Sequence, residues 1–468
     1  MANIKKNRRR FLKQAAKASL LGSGMGAMGG KLNMMSSALA ASGDYAGLND
    51  YKALVCIFLY GGSDSYNMFI PYDVGGHQEY AQARGGLSLP RDSLLPTSDS
   101  AIGFNPNMPG LRDLYDDGQL SLVANVGNMI VPVTRSNFQA ESVAVPSDLF
   151  AHNHQQEQWQ KGLSSQPSSL VGAGWGGRMA DLLMEANGAS ALPATFSVNG
   201  SNYFLPGNIG TPISINPQSG PRLLDYMDNS RGQSQNDARA ESISRIMAAQ
   251  DDHLIKQFVS SSFLRARDSS QLISEVLRNS PTFTTPFNTA SRVSTQLRMV
   301  ARMIAGREAL GMKRQVFFVG MGGWDTHDYQ TPRLIELTQE LDSALTGFQQ
   351  TLAELAIEDS VTSFTASDFG RTLTVNGNGS DHGWSGHYMV MGGAVNGGQM
   401  IGDWPDFSIG GSEDIGESGR LIPRMSINEY GAALGSWMGL LPGDMANVFP
   451  DLQNFSSDWQ NSYGLFRS

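Results

Sequence analysis

The sequence has 468 residues, of which 40% are apolar, 16% are charged and 53 are glycine. This profile is typical of a loop-rich globular enzyme and excludes a coiled coil or a disordered chain. The net charge of −9 argues against nucleic acid as the main partner. The single cysteine, Cys56, excludes an internal disulfide, and its apolar neighbours predict a buried core position.

The N-terminus predicts export. Residues 7–13 (Asn-Arg-Arg-Arg-Phe-Leu-Lys) resemble the twin-arginine motif, and a weakly apolar stretch over about 15–28 follows, too short and mild to span a bilayer stably. Small residues at 38–40 suit a signal peptidase. We therefore predict a signal peptide over residues 1–40 and delivery by the twin-arginine translocase to the periplasm or the exterior. That pathway carries folded proteins, so a cofactor could be loaded in the cytoplasm.

Removing the signal peptide makes the chain more acidic. It takes away eight Lys/Arg and no acidic residue, so the net charge of −9 becomes −17. An anionic substrate remains compatible with this charge, because a metal ion can reverse the local field. No later segment has the length and apolarity of a membrane-spanning helix, so no stable membrane span is predicted.

Three strands of a central sheet are predicted where apolar runs end in polar loops. Residues 52–60 form a continuous apolar run, typical of a strand covered on both faces, and the loop after it carries Asp64. Residues 314–321 form a second such run, followed by Gly-Gly-Trp-Asp-Thr-His at 322–327. A third strand over 361–364 leads to Asp368 and Arg371.

The remaining pattern predicts an α/β fold with a central, mostly parallel sheet between helical layers. Residues 1–40 precede a single domain over 41–468, in which about 206–310 form a helical insertion or cap. Further strands are predicted at 120–126, 194–198 and 388–391. Helices are predicted at 107–118, 179–186, 236–279, 294–310, 334–355 and 428–440.

The polar strand ends predict a metal site. If the strands are parallel neighbours, their carboxyl ends meet at one edge of the sheet, where ligands bind in open α/β folds. A flexible Asn/Gly stretch adds Asp381, His382 and His387 to the carboxylates already there. Carboxylates and imidazoles are ligands of zinc, manganese and iron. His387 alternates with apolar strand residues, so it is either a structural histidine or a ligand.

The motifs resemble a known family, domain of unknown function 1501. The resemblance covers nearly the whole chain after the signal peptide, with the motifs in the family's order. It rests on residues 61–67 (Gly-Gly-Ser-Asp-Ser-Tyr-Asn), 135–138, 152–155, 174–178, 322–327, 367–372, 381–383 and 392–395. This family is grouped with the alkaline phosphatase and sulfatase superfamily, so the resemblance implies that fold and the hydrolysis of a small anionic ester, a phosphate or sulfate, over two divalent metal ions.

The resemblance also implies roles for individual residues. One metal would be held by Asp325, His327 and His382. The other would be surrounded by Asp64, Asp368 and Ser136, with Ser136 as nucleophile. Arg371 or Arg135 would clamp the anion, since a guanidinium matches an oxyanion bidentately. The other substrate-binding candidates are Asn67, His387 and His152.

Two departures keep two functions open. The chain has Asp368-Phe369 where the superfamily has Asp-His, so the second metal loses an imidazole unless His152 or His154 replaces it. No Cys/Ser-x-Pro-x-Arg motif is present, which argues against formylglycine sulfatase chemistry. The first hypothesis is an exported metal-dependent hydrolase of a phosphate or sulfate ester. The alternative is an inactive metal-binding or assembly protein on the same fold.

Overall fold

A computed structural model describes residues 45–165, 172–188, 190, 192–221, 241–242, 245 and 254–467. The predicted signal peptide lies outside these residues. The strands in this part of the chain are β1 (Lys52–Tyr60), β2 (Phe69–Pro71), β3 (Leu95–Pro96), β4 (Ile102–Phe104), β5 (Leu120–Gly127), β6 (Thr195–Ser197), β7 (Ile213–Ser214), β8 (Arg314–Gly322), β9 (Val361–Ser367), β10 (Arg371–Val375), β11 (Ser380–His382), β12 (Gly386–Met391), β13 (Met400–Ile401) and β14 (Met425–Ser426).

Helices flank these strands. They are α1 (Val74–Arg84), α2 (Pro109–Asp116), α3 (Arg135–Gln139), α4 (His152–Lys161), α5 (Trp175–Leu182), α6 (Leu254–Arg278), α7 (Arg292–Ala305), α8 (Gln330–Glu354), α9 (Ile427–Trp437) and α10 (Met445–Val448). Short 3-10 segments connect several of them. In the described part of the chain, no helix is both long and apolar enough to cross a membrane.

The central sheet is mixed and mostly parallel, as predicted. Its strand order is β13-β5-β12-β9-β1-β8-β6-β7, with β14 also paired to β5. The middle strand β1 runs parallel to β8 and to β9, so the predicted strand–helix–strand unit β8–α8–β9 spans one intervening strand. Only β12 runs antiparallel to its neighbours. The carboxyl ends of β8, β1 and β9 therefore share one edge.

Burial on both faces explains the continuous apolar sequence of β1. Its residues from Ala53 to Phe58 are fully buried, including Cys56, which confirms the predicted core position. One face packs against a cluster of aromatic side chains that includes Trp159, Trp175 and Tyr430. Helix α9 contributes to that cluster and begins with a capping box between Ser426 and Glu429.

The chain divides into two compact units. The larger comprises Leu39–Arg222 and Ile273–Ser468, and Leu223–Leu272 belongs to the other. Helix α7 lies inside the range predicted as an insertion, yet most of its residues are buried. The Gln296 side chain accepts from Gly320 N and donates to Gly320 O, at 3.0 and 2.8 Å. Residues 292–305 are thus part of the layer over the sheet.

Two regions are more regular than the sequence pattern predicts. The Asn/Gly stretch before His382 is an antiparallel hairpin of β10 and β11, in which Arg371 pairs with His382. Residues 69–104 form a small antiparallel sheet, in the order β2-β4-β3, next to helix α1. These strands have two to five residues, too few for a periodic pattern to indicate.

Candidate metal centre

The candidate metal centre lies where the carboxyl ends of β1, β8 and β9 meet. Asp325 follows β8, and Asp368 follows β9 directly. Gly61, after β1, has φ +118°, and a Cβ there would lie 2.3 Å from the backbone nitrogen of Asp325. Only glycine permits this approach. The first Gly of the Gly-Gly pair thus allows the loops after β1 and β8 to pack together.

Three imidazoles converge on the Asp325 carboxylate. Nε2 of His327 lies 3.1 Å from Asp325 Oδ1, and Nε2 of His382 lies 3.4 Å from the same oxygen. Nε2 of His152 lies 3.4 Å from Asp325 Oδ2. The side chain of Asp325 is 45% exposed, so the group opens to solvent. We call Asp325, His152, His327 and His382 the His–Asp cluster.

The outer hydrogen bonds fix the tautomer of each ring. Nδ1 of His382 donates to the carbonyl of Phe150 at 2.7 Å, because a carbonyl oxygen can only accept. Nδ1 of His152 faces Asp368 Oδ2 at 2.6 Å, and Nδ1 of His327 faces Asp381 Oδ1 at 3.1 Å. In a neutral ring, each Nε2 therefore carries a lone pair aimed into the cluster.

This donor set fits a divalent metal ion. Nε2 of His327 and Nε2 of His382 are only 2.8 Å apart, and two lone pairs at that distance repel unless a proton or a cation lies between them. Ligand atoms of His152, Asp325 and His382 lie within 4.8 Å of one another, compatible with one ion. Two nitrogens and a carboxylate from these residues are donors that suit zinc, and His327 Nε2 lies beside Asp325 and His382.

The charges around the cluster favour the same protonation states. Burial lowers the pKa of His382, and the nearby His152, Arg371 and His327 lower it further. Burial raises the pKa of Asp325, but the hydrogen bond from Arg371 and the nearby histidines outweigh it, so the net shift is downward. A metal ligand must be a neutral imidazole or an ionised carboxylate, and the shifts favour these forms for His382 and Asp325, whereas the pKa of His152 is raised.

Asp368 orients His152. Its Oδ2 accepts from Gln156 Nε2 at 2.8 Å and from the backbone nitrogen of Gly61 at 3.3 Å, besides its bond with His152. The hydrogen bond to Asp368 raises the pKa of His152 against the opposing effect of burial. Asp368 was predicted as a direct ligand. Its Oδ2 serves as the acceptor of a carboxylate–histidine pair, while its buried Oδ1 forms no hydrogen bond among the described residues.

Asp64 lies in a different, buried network. Its Oδ2 accepts from the guanidinium of Arg84 on α1 and from the side chain of Gln330, and both members of the ion pair are buried. Asn67, the predicted substrate contact, binds Leu87 O at 2.9 Å and accepts from Tyr80 at 2.8 Å. The structure therefore gives Asp64 and Asn67 structural partners and does not bring them into the His–Asp cluster.

The two arginines predicted to bind the anion already donate hydrogen bonds within the protein. Arg371 is buried and donates to Asp325 Oδ1 at 3.1 Å, to Gly61 O at 3.3 Å and to the carbonyl of Ser380. The guanidinium of Arg135 donates to three loop carbonyls, those of Gly410, Gly411 and Gly416. Arg371 thus holds Asp325 and the hairpin in place, and Arg135 ties α3 to the loop after β13.

Ser136 and His387 also lie apart from the cluster's hydrogen bonds. Ser136 is exposed on α3 and contacts the hydroxyl of Thr134 at 3.1 Å. His387 is 3% exposed, and its Nδ1 accepts from Asn125 N at 3.1 Å. Burial lowers the pKa of His387 to about 3. Of the two alternatives for His387, the surroundings fit the structural one.

The sequence matches a family over most of its length. The signature of a family described as "Protein of unknown function (DUF1501)" matches residues 51–418. The chain belongs to the DUF1501 family. The matched range contains the whole His–Asp cluster, so the cluster is part of the family's domain. None of the curated proteins matches the chain by sequence.

Some solved structures are similar to the chain at low identity and low TM-score. The lipoteichoic acid synthase LtaP from Listeria monocytogenes is 10% identical, with 90% of this chain and 81% of that chain covered and a TM-score of 0.39. The structure of Ps i-CgsB is 7% identical, covers 86% and 77% of the two chains, and has a TM-score of 0.35. Ps i-CgsB in complex with k-i-k-neocarrahexaose is 10% identical, with the same coverage and a TM-score of 0.34.

One cation beside the cluster of this DUF1501 protein was not predicted. Arg420 donates from Nε to the carbonyl of His382 at 3.0 Å, and its guanidinium carbon lies 4.5 Å from the ring centroid of Phe150. Its Nη groups form no hydrogen bond with any residue that the structure describes. No motif surrounds Arg420 in the sequence, so no local signal could have identified it.

Proposed function

We propose that this DUF1501 protein is an exported metal-dependent hydrolase of a phosphate or sulfate ester. The observation that carries the proposal is the convergence of three tautomer-fixed Nε2 atoms on Asp325 at 3.1 to 3.4 Å. Asp325, His152, His327 and His382 would hold one divalent ion, with zinc as the first expectation and manganese or iron as alternatives. A divalent ion here would supply Lewis acidity to an oxygen of the ester and lower the pKa of water.

The side chains around the cluster set its reactivity. Arg371 holds Asp325 from the buried side and so leaves the exposed side of the carboxylate for the ion and the substrate. Arg420 is the candidate clamp for the anion, since its stacked guanidinium lies next to His382 and its Nη groups are free within the described residues. Asp368 keeps the Nδ1 proton on His152.

The nucleophile is either Ser136 or water. The side-chain partner of Ser136 is the Thr134 hydroxyl, and no carboxylate or imidazole in the described part of the chain contacts Ser136 to accept its proton. A serine nucleophile would give a covalent phosphoserine or sulfoserine intermediate, which mass spectrometry after rapid quenching detects. Ser136→Ala would abolish that intermediate and turnover, whereas a water nucleophile leaves turnover within about twofold of the unmodified protein.

The experiment that tests metal binding compares two histidines on one helix. His152 belongs to the cluster, and His154, two residues later, pairs with Asp148 at 2.5 Å and is 44% exposed. We expect mass spectrometry to find one divalent ion per chain in protein matured in the cell. His152→Ala and His382→Ala should lose the ion, and His154→Ala should retain it. Equal metal content in all four proteins would overturn the proposal.

Activity assays then separate the enzyme from the inactive alternative. Metallated protein should cleave 4-nitrophenyl phosphate or 4-nitrophenyl sulfate, and His382→Ala should not. Metal at full occupancy with neither ester cleaved would favour a metal-binding or assembly protein.

We also propose export through the twin-arginine translocase, which rests on residues 7–13. Replacing Arg8 and Arg9 together with lysine should hold the full-length precursor in the cytoplasm. Fractionation and the mass of the N-terminus provide the measurement, with Lys5→Arg and Lys6→Arg as the charge-preserving control. Normal export of the double-lysine variant would contradict this route.

A further inference from the structure

A second cavity opens at the same edge of the sheet. Its volume is about 430 Å³, within the range of small-molecule sites. Its walls include Tyr60, Asn199, Arg292, Met321, Gly322 and Glu340. None of these residues belongs to the His–Asp cluster.

The cavity is connected to the metal centre through the ends of two strands. Tyr60 and Gly322 face each other as the last paired residues of β1 and β8, and Asp325 comes three residues after Gly322. Trp324 N donates to the carbonyl of Tyr60 at 3.2 Å. Burial raises the pKa of the Tyr60 hydroxyl, and the charge of Asp368 is among the further causes. The cavity therefore lies beside the ends of β1 and β8, and the loop after β8 carries Asp325.

The walls offer both donors and acceptors. Arg292 donates to Asn199 Oδ1 at 3.3 Å, and its side chain is exposed. Glu340 accepts from the Ser291 hydroxyl at 2.7 Å, and no ion pair joins it to Arg292 among the described residues. A carboxylate and a guanidinium that are not paired with each other thus line one space, together with the ring of Tyr60.

This combination selects among ligand classes. An apolar group would displace water from Arg292 and Glu340, whose hydrogen bonds to Asn199 and Ser291 use only some of their polar atoms, and this costs free energy. A second anionic group would meet the carboxylate of Glu340. Hydroxyl groups donate to a carboxylate and accept from a guanidinium, and the C–H face of a sugar ring packs on an aromatic ring.

We propose that this cavity binds the hydroxyl-rich alcohol part of the substrate, so that the substrate is a phosphate or sulfate ester of a saccharide. This inference rests on the proposed function for the reaction, but the cavity's binding of a sugar is measurable without turnover. Tyr60, Asn199, Arg292 and Glu340 contact the sugar, and the His–Asp cluster receives the ester group.

Gly322 provides a direct test of the cavity. Its φ lies outside the left-handed region, and a Cβ there would meet no heavy atom within 4 Å. Gly322 lines the cavity and its Cβ position is open, so Gly322→Leu adds a side chain at the cavity wall without backbone strain. Gly47 is the matched control, because it is exposed and has the same open surroundings and an unrestricted φ. Glu340→Gln is the second variant, since it keeps the shape and removes the charge.

The readout is the ratio of kcat/KM for glucose 6-phosphate or glucose 6-sulfate to kcat/KM for the corresponding 4-nitrophenyl ester. We expect Gly322→Leu and Glu340→Gln to lower this ratio about 10- to 100-fold, because each removes one or two hydrogen bonds to charged groups. Gly47→Leu should leave the ratio unchanged. An unchanged ratio in Gly322→Leu would overturn the proposal.

A direct binding measurement distinguishes the sugar-site proposal from the hydrolase proposal. Calorimetry of unmodified protein and of Gly322→Leu with glucose and with maltotriose requires no hydrolysis. Saccharide binding that is lost in Gly322→Leu supports the cavity as a sugar site even if neither ester is cleaved. Absence of saccharide binding to the unmodified protein contradicts it, whether or not the aryl esters are cleaved.

Discussion

The imidazole of His152 packs against the ring of Phe369, with the ring centroids 4.9 Å apart. Phe369 occupies the position at which the resemblance to the alkaline phosphatase and sulfatase superfamily implies a histidine. His152, which enters from α4, presents Nε2 to Asp325 and so places an imidazole next to that position from another part of the chain. Phe369 thus forms a wall of the cluster, and its ring also lies 4.6 Å from that of His382.

Asp368→Asn should weaken metal binding without unfolding the protein. The amide can no longer serve as a charged acceptor for His152, so the fixed tautomer and ring orientation are lost, and metal affinity should fall roughly 10- to 100-fold. Competition with a chromogenic chelator measures the affinity. Asp148→Asn removes the equivalent carboxylate from His154 at the surface, and it should leave the affinity unchanged. Equal metal affinities in Asp368→Asn and Asp148→Asn would show that Asp368 does not support metal binding through His152.

Asp64 should be needed for stability and not for metal. Arg84→Met leaves the Asp64 carboxylate buried without its cation, and the free energy of unfolding should fall by about 3–5 kcal/mol in urea titrations. Burial already raises the pKa of Asp64, so Asp64→Asn should be tolerated better than Arg84→Met. Asp64→Asn protein should retain its metal. Loss of the ion from Asp64→Asn would show that Asp64 contributes to metal binding.

Gly61→Ala should disrupt the metal centre through the backbone. The added Cβ would lie 2.3 Å from Asp325 N, so the loop that carries Asp325 must move. Gly377→Ala is the control for strain alone, since its φ is also positive, +93°, but no atom lies within 4 Å of its Cβ. Strain of this kind costs about 1–3 kcal/mol. We expect Gly61→Ala to lose the metal and Gly377→Ala to retain it. Retention of the metal in Gly61→Ala would show that the loops after β1 and β8 move independently of the site.

His387 should make stability depend on pH. Burial lowers its pKa to about 3 in the folded protein, against about 6.5 in the unfolded chain. Between these values the unfolded state binds the extra proton, so stability falls as the pH drops from about 6.5 towards 3. The contribution of this group is about 1.4 kcal/mol per pH unit. His387→Asn keeps an acceptor for Asn125 N and removes the titration, so its urea midpoint should fall less steeply over that range than that of the unmodified protein. Parallel slopes would exclude His387 as the cause.

The sheet and half of the centre could be predicted because their signals are local. Burial on both faces produces the continuous apolar runs of β1 and β8, and a ligand that follows a strand end, such as Asp325, is identified by the strand before it. His327 was predicted from the same strand end, and His382 from the Asn/Gly stretch that follows the third strand. His152 was named only as a substitute for the missing imidazole. The contact that places it is with Asp368, 216 residues away in the chain, and a local pattern cannot predict such a contact.

The remaining assignments required long-range contacts. Asp64 follows a strand end just as Asp325 does, and only the position of Arg84, 20 residues later on α1, distinguishes a buried ion pair from a ligand. Arg371 has the sequence context of an anion clamp, but the hairpin that the Asn/Gly stretch forms provides carbonyls that occupy its donors. Such pairings depend on tertiary packing, which no local pattern encodes.

The carbonyl of Phe150 orients His382 from a position only two residues before His152. One short segment thus controls two of the three imidazoles, although these two belong to elements far apart in the sequence. The exposed turn at Glu141 and Ser142 lies just upstream. A single proteolytic cut between that turn and Phe150 would loosen the segment that orients both rings and leave every strand of the sheet intact, so the candidate site could be lost without loss of the fold.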